Sequence, residues 1–120
     1  ATNGVLLEKN AQMLIDAGLS RLWVSMDGPE EINDFQRGKN TYKNAVAGIE
    51  KILGLRKGEF PKVGVTTIVT PGNHLYIEEF FFNLVSKYNI DHISIRIIKI
   101  LLSRSLMHLM PVRQEDWYMI

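Results

Sequence analysis

Four short polar segments hold most of the side chains that can do chemistry. They are Thr2-Asn3-Gly4, Ser25-Met26-Asp27-Gly28, the stretch with Asn33, Asp34 and Arg37, and Thr70-Pro71-Gly72-Asn73. Ser25 and Asp27 put a hydroxyl and a carboxylate on one face of an extended strand, which suits contacts to a polar ligand. Arg37 carries the planar fork that grips a carboxylate through two charge-assisted hydrogen bonds. Each also has a structural use: Ser25 as a small filler, Asp27 as a cap on the loop after it, Arg37 as a solvated arginine or a partner for Asp34. Thiol nucleophiles, disulfides and zinc–thiolate sites are excluded, because the chain has no cysteine. His74, His92 and His108 stand too far apart for a short metal-ligand motif.

The elements that must position these segments alternate between two periodicities. Leu7, Ala11, Leu14 and Ile15 recur at helical spacing over 5–17, and Gly18 supplies a C-terminal stop. Arg21 to Asp27 is a short apolar run before Gly28-Pro29 and predicts a buried strand. In it Leu22, Val24 and Met26 share the face suited to packing under helices, opposite Trp23, Ser25 and Asp27. Residues 30–40 predict a long loop with at most one helical turn. Thr41 is expected to cap a helix whose Ala45, Val46, Ile49, Ile52 and Leu53 form one stripe. A second strand over 63–70 stops at Pro71-Gly72-Asn73, and Asn73 is expected to cap a helix bearing Ile77, Phe80, Phe81, Leu84 and Val85. A third strand follows over 91–98. In the second strand Thr66, Ile68 and Thr70 share one face and Thr67 and Val69 the other; alternation alone leaves open which of the two looks inward.

The order α-β-α-β-α-β implies right-handed crossovers and a parallel sheet, whose ligands gather at the C-terminal strand ends. The polar segments lie at those ends. Residues 99–120 break the pattern: Leu101, Leu102, Leu106, Leu109 and Met110 are apolar at helical spacing before Pro111, and a helix packed on parts outside this chain is expected there. A 46% hydrophobic, 22% charged composition supports one compact domain with a core. The net charge of +1 supplies no basic patch for nucleic acid or a membrane surface. No run approaches the roughly 20 apolar residues of a bilayer span. The lack of cysteine fits a reducing cytoplasm. The opening Ala1-Thr2-Asn3-Gly4, with no initiator methionine, points to a start inside a longer protein.

In their order and spacing, Thr2-Asn3-Gly4, then Ser25-Met26-Asp27-Gly28-Pro29 with Ile32-Asn33-Asp34 and Arg37-Gly38, then Val63 to Asn73, resemble the central part of a radical S-adenosylmethionine (radical SAM) domain. More narrowly they are similar to the branch of anaerobic sulfatase-maturing, SPASM-type enzymes. The resemblance covers 1–98 and leaves 99–120 as a tail or linker. It implies an α/β fragment of a partial (βα)6 TIM-like barrel with parallel strands, Thr-Asn-Gly ending the third strand and Ser-x-Asp-Gly the fourth. It implies a cofactor pocket in which Thr2 and Asn3 line the floor. Ser25 would touch the ribose or amino-acid end of S-adenosylmethionine, and Arg37 would bind its methionine carboxylate. Asp27 would support the loop or meet substrate, Thr66 and Ile68 would line the wall if their face looks inward, and Ile97 or Ile98 would pack on adenine. The [4Fe-4S] cluster would be held by a CxxxCxxC loop preceding Ala1. The implied chemistry is oxidoreductase-type: one-electron cleavage of S-adenosylmethionine, giving methionine and a 5′-deoxyadenosyl radical that takes hydrogen from a substrate, with peptides or proteins as candidates.

A small non-catalytic α/β module with a flavodoxin-like sheet explains the element order equally well, but not the placement of Ser25, Asp27 and Arg37. A CxxxCxxC within roughly 70–90 residues before Ala1, two βα units of ordinary length, would decide for the barrel. The resemblance also carries an expectation for the chain made alone. Without earlier strands, the Leu22–Asp27 strand is an open edge with apolar side chains, a template for pairing with another copy. Self-association through that edge or the tail is expected in sedimentation at micromolar concentration. A stable monomer with an ordered tail would favour the small module.

Overall fold

A computed structural model of the chain describes residues 1–97. Helix α1 (Leu7–Asp16) leads to strand β1 (Arg21–Ser25), followed by α2 (Glu30–Arg37) and α3 (Thr41–Leu55). Strand β2 (Lys62–Val69), a short 3-10 turn (His74–Tyr76), α4 (Ile77–Lys87) and β3 (His92–Ile97) complete the described part. The strands form one open parallel sheet in the order β1-β2-β3, with Ser25 opposite Thr66 and Thr66 opposite Ser94. Ile98 and the 99–120 tail lie outside the described residues. Among the described residues no helix is long and apolar enough to cross a membrane.

Sheet alternation separates two faces. Leu22, Val24 and Met26 of the first strand run, Val63, Val65 and Val69 of β2 and Ile97 of β3 are buried together with Leu7 and Ala11 of α1, Ala45, Ile49 and Ile52 of α3, and Phe80, Phe81 and Leu84 of α4. One core thus collects α1, α3 and α4 on a single side of the sheet. Right-handed crossovers that always step in the same direction place every helix on one side, whereas a doubly wound sheet reverses direction and covers both. Close packing of α1 on α3 needs small residues. A Cβ on Gly48 would lie 2.7 Å from the Leu7 side chain, and one on Gly4 would lie 2.7 Å from the Ala45 Cα. The glycine of Thr2-Asn3-Gly4 is therefore a packing requirement as well as a turn, at φ +83°.

The polar stretch after Gly28-Pro29 is a two-turn helix, not the expected loop. Its acidic start, Glu30 and Glu31, and its basic end, Arg37, suit the helix dipole. Only Asn33 of α2 is buried, so the helix has no apolar stripe and is anchored by hydrogen bonds instead. Asn33 Oδ1 accepts the Asp27 N–H at 2.8 Å, and its Nδ2 donates to Thr41 Oγ1 at 3.0 Å. The next residue, Asp34, serves the helix after it. Its carboxylate accepts the N–H groups of Tyr42 (2.9 Å) and Asn40 (3.1 Å). The Tyr42 N–H leads the hydrogen bonds that hold Asp34 below its ordinary 3.8. The expected cap at Thr41 is thereby corrected: Asn40, at φ 66°, occupies the cap position, and the acceptor comes from α2.

The edge expected at 22–27 is partly covered. Thr2 bridges Val24 through Thr2 N–H to Trp23 O (2.9 Å) and Ser25 N–H to Thr2 O (2.8 Å). At the opposite end of the strands, Asp91 ties β3 to β2 and α3. Burial pushes its carboxyl up, but the Val63 N–H (2.8 Å) and Arg56 (2.9 Å) outweigh that and hold it below 3.8.

Two glycines separate conformation from packing. Gly4 and Gly18 both have left-handed φ, but nothing lies within 4 Å of a Cβ on Gly18. Gly18→Ala should cost about 1–2 kcal/mol for the backbone alone. Gly4→Ala should cost about 1–3 kcal/mol more, from overpacking against Ala45. Urea unfolding of the two variants measures the difference, and equal losses would mean that α3 yields at no cost.

Candidate functional site

The face of the sheet away from the helices is built in three tiers. At the N-terminal end, Trp23, Gly64 and His92 stand in register, and Gly64 is where the indole lies: a Cβ there would meet the Trp23 ring at 2.5 Å. The Trp23 and His92 rings are 6.1 Å apart. The middle tier is a row of three hydroxyls, Ser25, Thr66 and Ser94, on neighbouring strands. None of the three has a side-chain hydrogen bond to another described residue. The upper tier pairs Ile68 with Arg96, and Arg37 reaches in from the end of α2. Trp23 of the first tier, the three hydroxyls, Ile68, Arg96, Arg37 and Ala1 line a hollow of about 330 Å³. A larger hollow, about 760 Å³, lies at the N-terminal strand ends between Asp16–Ser20 and Lys57–Pro61. It lacks such a convergence of hydroxyls and cations, so the smaller one is the candidate site.

Ser25, Thr66, Ile68 and Arg37 thus come together, and strand pairing decides what alternation left open: Thr66 and Ile68 look into the hollow, Thr67 into the core. Thr2 and Asn3 are not brought in. Thr2, opposite Val24, stands on the helix side and accepts the Gly4 N–H at 3.1 Å, while Asn3 Oδ1 accepts the Val5 N–H at 3.1 Å. They shape the turn into α1. Ile97 is 4% exposed and belongs to the core, so it does not face the hollow. Sequence reasoning missed Ser94 and Arg96, although the alternation in His92-Ile93-Ser94-Ile95-Arg96-Ile97 contained the signal.

Asp27 is the structural centre of the rim and lines no part of the hollow, being 1% exposed. After Met26 donates its N–H to Thr66 O at 3.1 Å, β1 leaves the ladder. The next donor on β2, the Ile68 N–H, is met by Asp27 Oδ1 at 2.9 Å, and the Met26 carbonyl turns to the buried Thr67 hydroxyl. Asp27 Oδ2 accepts from Gln36 Nε2 at 2.8 Å, and Gln36 Oε1 accepts from Thr70 Oγ1 at 2.9 Å. Arg37 lies against the same carboxylate: Nη2 donates to Oδ1 at 3.4 Å, and Nε touches Oδ2 off the line of its N–H, so charge holds this contact more than hydrogen-bond geometry. Arg37 is therefore paired with Asp27, not with Asp34. Asn73 does not cap the following helix as expected. Fully buried, it donates to the carbonyls of Asp27 (2.7 Å) and Ile68 (2.8 Å) and accepts the Thr70 N–H (2.7 Å).

No protein-family model matches the chain. A stretch of 54 residues, 43% of the chain, is 48% identical to a probable GTP 3′,8-cyclase of Methanococcus maripaludis strain C7, and equally to that of strain C5. The likeness is to a radical SAM enzyme. It supports that superfamily over the matched stretch and no finer placement. The chain spans 18% of the length of each of these curated relatives.

The floor of the hollow can be tested without a ligand. Gly64→Ala should push the Trp23 ring off β2 and cost about 1–3 kcal/mol. In a Trp117→Phe background, where Trp23 is the only tryptophan, its fluorescence should become more accessible to acrylamide. Unchanged quenching and stability would show that the ring does not rest on Gly64.

Proposed function

We propose that the chain is the central and C-terminal part of a radical SAM barrel and that the tiered hollow is its share of the S-adenosylmethionine pocket. The observation that carries this reading is the row Ser25–Thr66–Ser94, midway along the uncovered face of a parallel sheet whose core-forming helices lie on the other side, with Arg37 above it toward the C-terminal strand ends. Such a one-sided sheet suits a barrel wall, with the uncovered face turned to the interior; a flavodoxin-like module would have helices on both faces.

The residues fit the cofactor. Three hydroxyls without described side-chain partners suit ribose hydroxyls and an amino-acid head group, and the guanidinium of Arg37, 21% exposed, suits a carboxylate. The chain contains no cysteine, so the thiolates for a [4Fe-4S] cluster would come from outside it. When bound to such a cluster, S-adenosylmethionine supplies the one-electron chemistry that starts radical modification of a substrate. The residues of this chain would bind and orient it, with the apolar side chains of Trp23 and Ile68 flanking the hydroxyl row from the tiers on either side.

The finer placement in the sulfatase-maturase-like branch, with a peptide or protein substrate, rests on the Ser25-Met26-Asp27-Gly28-Pro29 and Arg37-Gly38 segments. A nucleotide substrate is the second reading. It is favoured by Arg96, a cation facing the hollow with no salt-bridge partner among the described residues, and by the naming of both relatives as GTP cyclases. Titrating GTP and a model peptide into the S-adenosylmethionine-bound parent distinguishes the two.

For the cofactor itself, Arg37→Ala in the cluster-loaded, full-length parent should remove a charge-assisted hydrogen bond of about 1.5–3 kcal/mol. S-adenosylmethionine affinity should fall about ten- to a hundredfold in calorimetry. Unchanged affinity would return Arg37 to a purely structural role with Asp27.

A further inference from the structure

We propose that Asp27 is a positioning residue that decides which edge of the Arg37 guanidinium meets the ligand. The inference rests on the reading of Arg37 as the carboxylate-binding residue of the hollow. A guanidinium offers two edges to a carboxylate, a side edge of Nε with Nη2 and an end edge of Nη1 with Nη2. Asp27 occupies the side edge, through Nη2 to Oδ1 at 3.4 Å and Nε against Oδ2. The end edge is left for the hollow that Arg37 lines.

Asp27 can do this because it cannot turn. Its carboxylate is pinned by the Ile68 N–H at 2.9 Å and Gln36 Nε2 at 2.8 Å. Its own N–H is held by Asn33 at 2.8 Å and its carbonyl by Asn73 at 2.7 Å. These partners come from both β2 and α2, so the carboxylate registers the helix that carries Arg37 against the strand that carries Thr66 and Ile68. Asp27 also neutralises the arginine. At its own corner of the hollow Arg37 then presents a donor fork and not a bare cation, which suits a carboxylate that brings its own positive group, as an amino acid does.

A double-mutant cycle in the cluster-loaded parent tests the assignment, with calorimetric S-adenosylmethionine affinity as the readout and iron content and melting temperature as controls. Asp27→Asn should weaken binding about five- to tenfold when Arg37 is present. The same change should have no effect on top of Arg37→Ala or Arg37→Lys, because alanine has no donor and lysine no edge to orient. A role confined to fold stability predicts the same loss in all three backgrounds, and that result, or an Asp27→Asn affinity equal to or above wild type, overturns the proposal. Should Asp27→Asn fail to fold or to load the cluster, the exposed Gln36 provides the alternative. Gln36→Ala removes one pin from Oδ2 and should cost about two- to threefold beside Arg37 and nothing on top of Arg37→Lys; equal effects in both again overturn it. A wild-type parent that binds no S-adenosylmethionine would instead sink the reading of the hollow.

Discussion

A carboxylate sealed beneath the rim of a parallel sheet must find a partner for every lone pair, because burying it without them is costly. Asp27 is in that position, and its partners are drawn from the next strand and from the helix that follows it. The result is that the end of β1, the last turn of α2 and the end of β2 cannot move independently. Asn73 extends the same tie to the loop before α4. The rim is thus rigid without a hydrophobic core of its own, and it sits where a ligand of this sheet would be held.

Below the rim, the division of labour between the two faces follows from strand geometry. On one side the β-branched and aliphatic residues of all three strands pack under α1, α3 and α4, and small residues at Gly4, Ala45 and Gly48 let the helices approach. On the other side the tiers run from an indole over glycine, through hydroxyls, to two arginines. A polar ligand with an apolar part could be graded along that axis.

What the sequence determined by itself is local and periodic. The apolar stripes of α1, α3 and α4, the stop at Gly18 and the alternation of Leu22, Val24 and Met26 against Trp23 and Ser25 are properties of single elements, and each was legible without a fold. Tertiary structure decided whatever depended on a partner distant in sequence. The helix α2 has no apolar stripe to read, because Asn33 and Asp34 anchor it by hydrogen bonds to Asp27 and α3. Thr66 and Thr67 are chemically alike, and only pairing with Ser25 and Ser94 turned one to the hollow and the other to the core. Thr2 and Asn3, polar and near a strand end, were claimed by their own turn. Arg37 found a carboxylate ten residues back instead of the nearer Asp34, whose lone pairs the start of α3 had already taken. Periodicity reports which face a side chain occupies, but the choice among equivalent polar partners is made by the three-dimensional path of the chain, which periodicity does not contain.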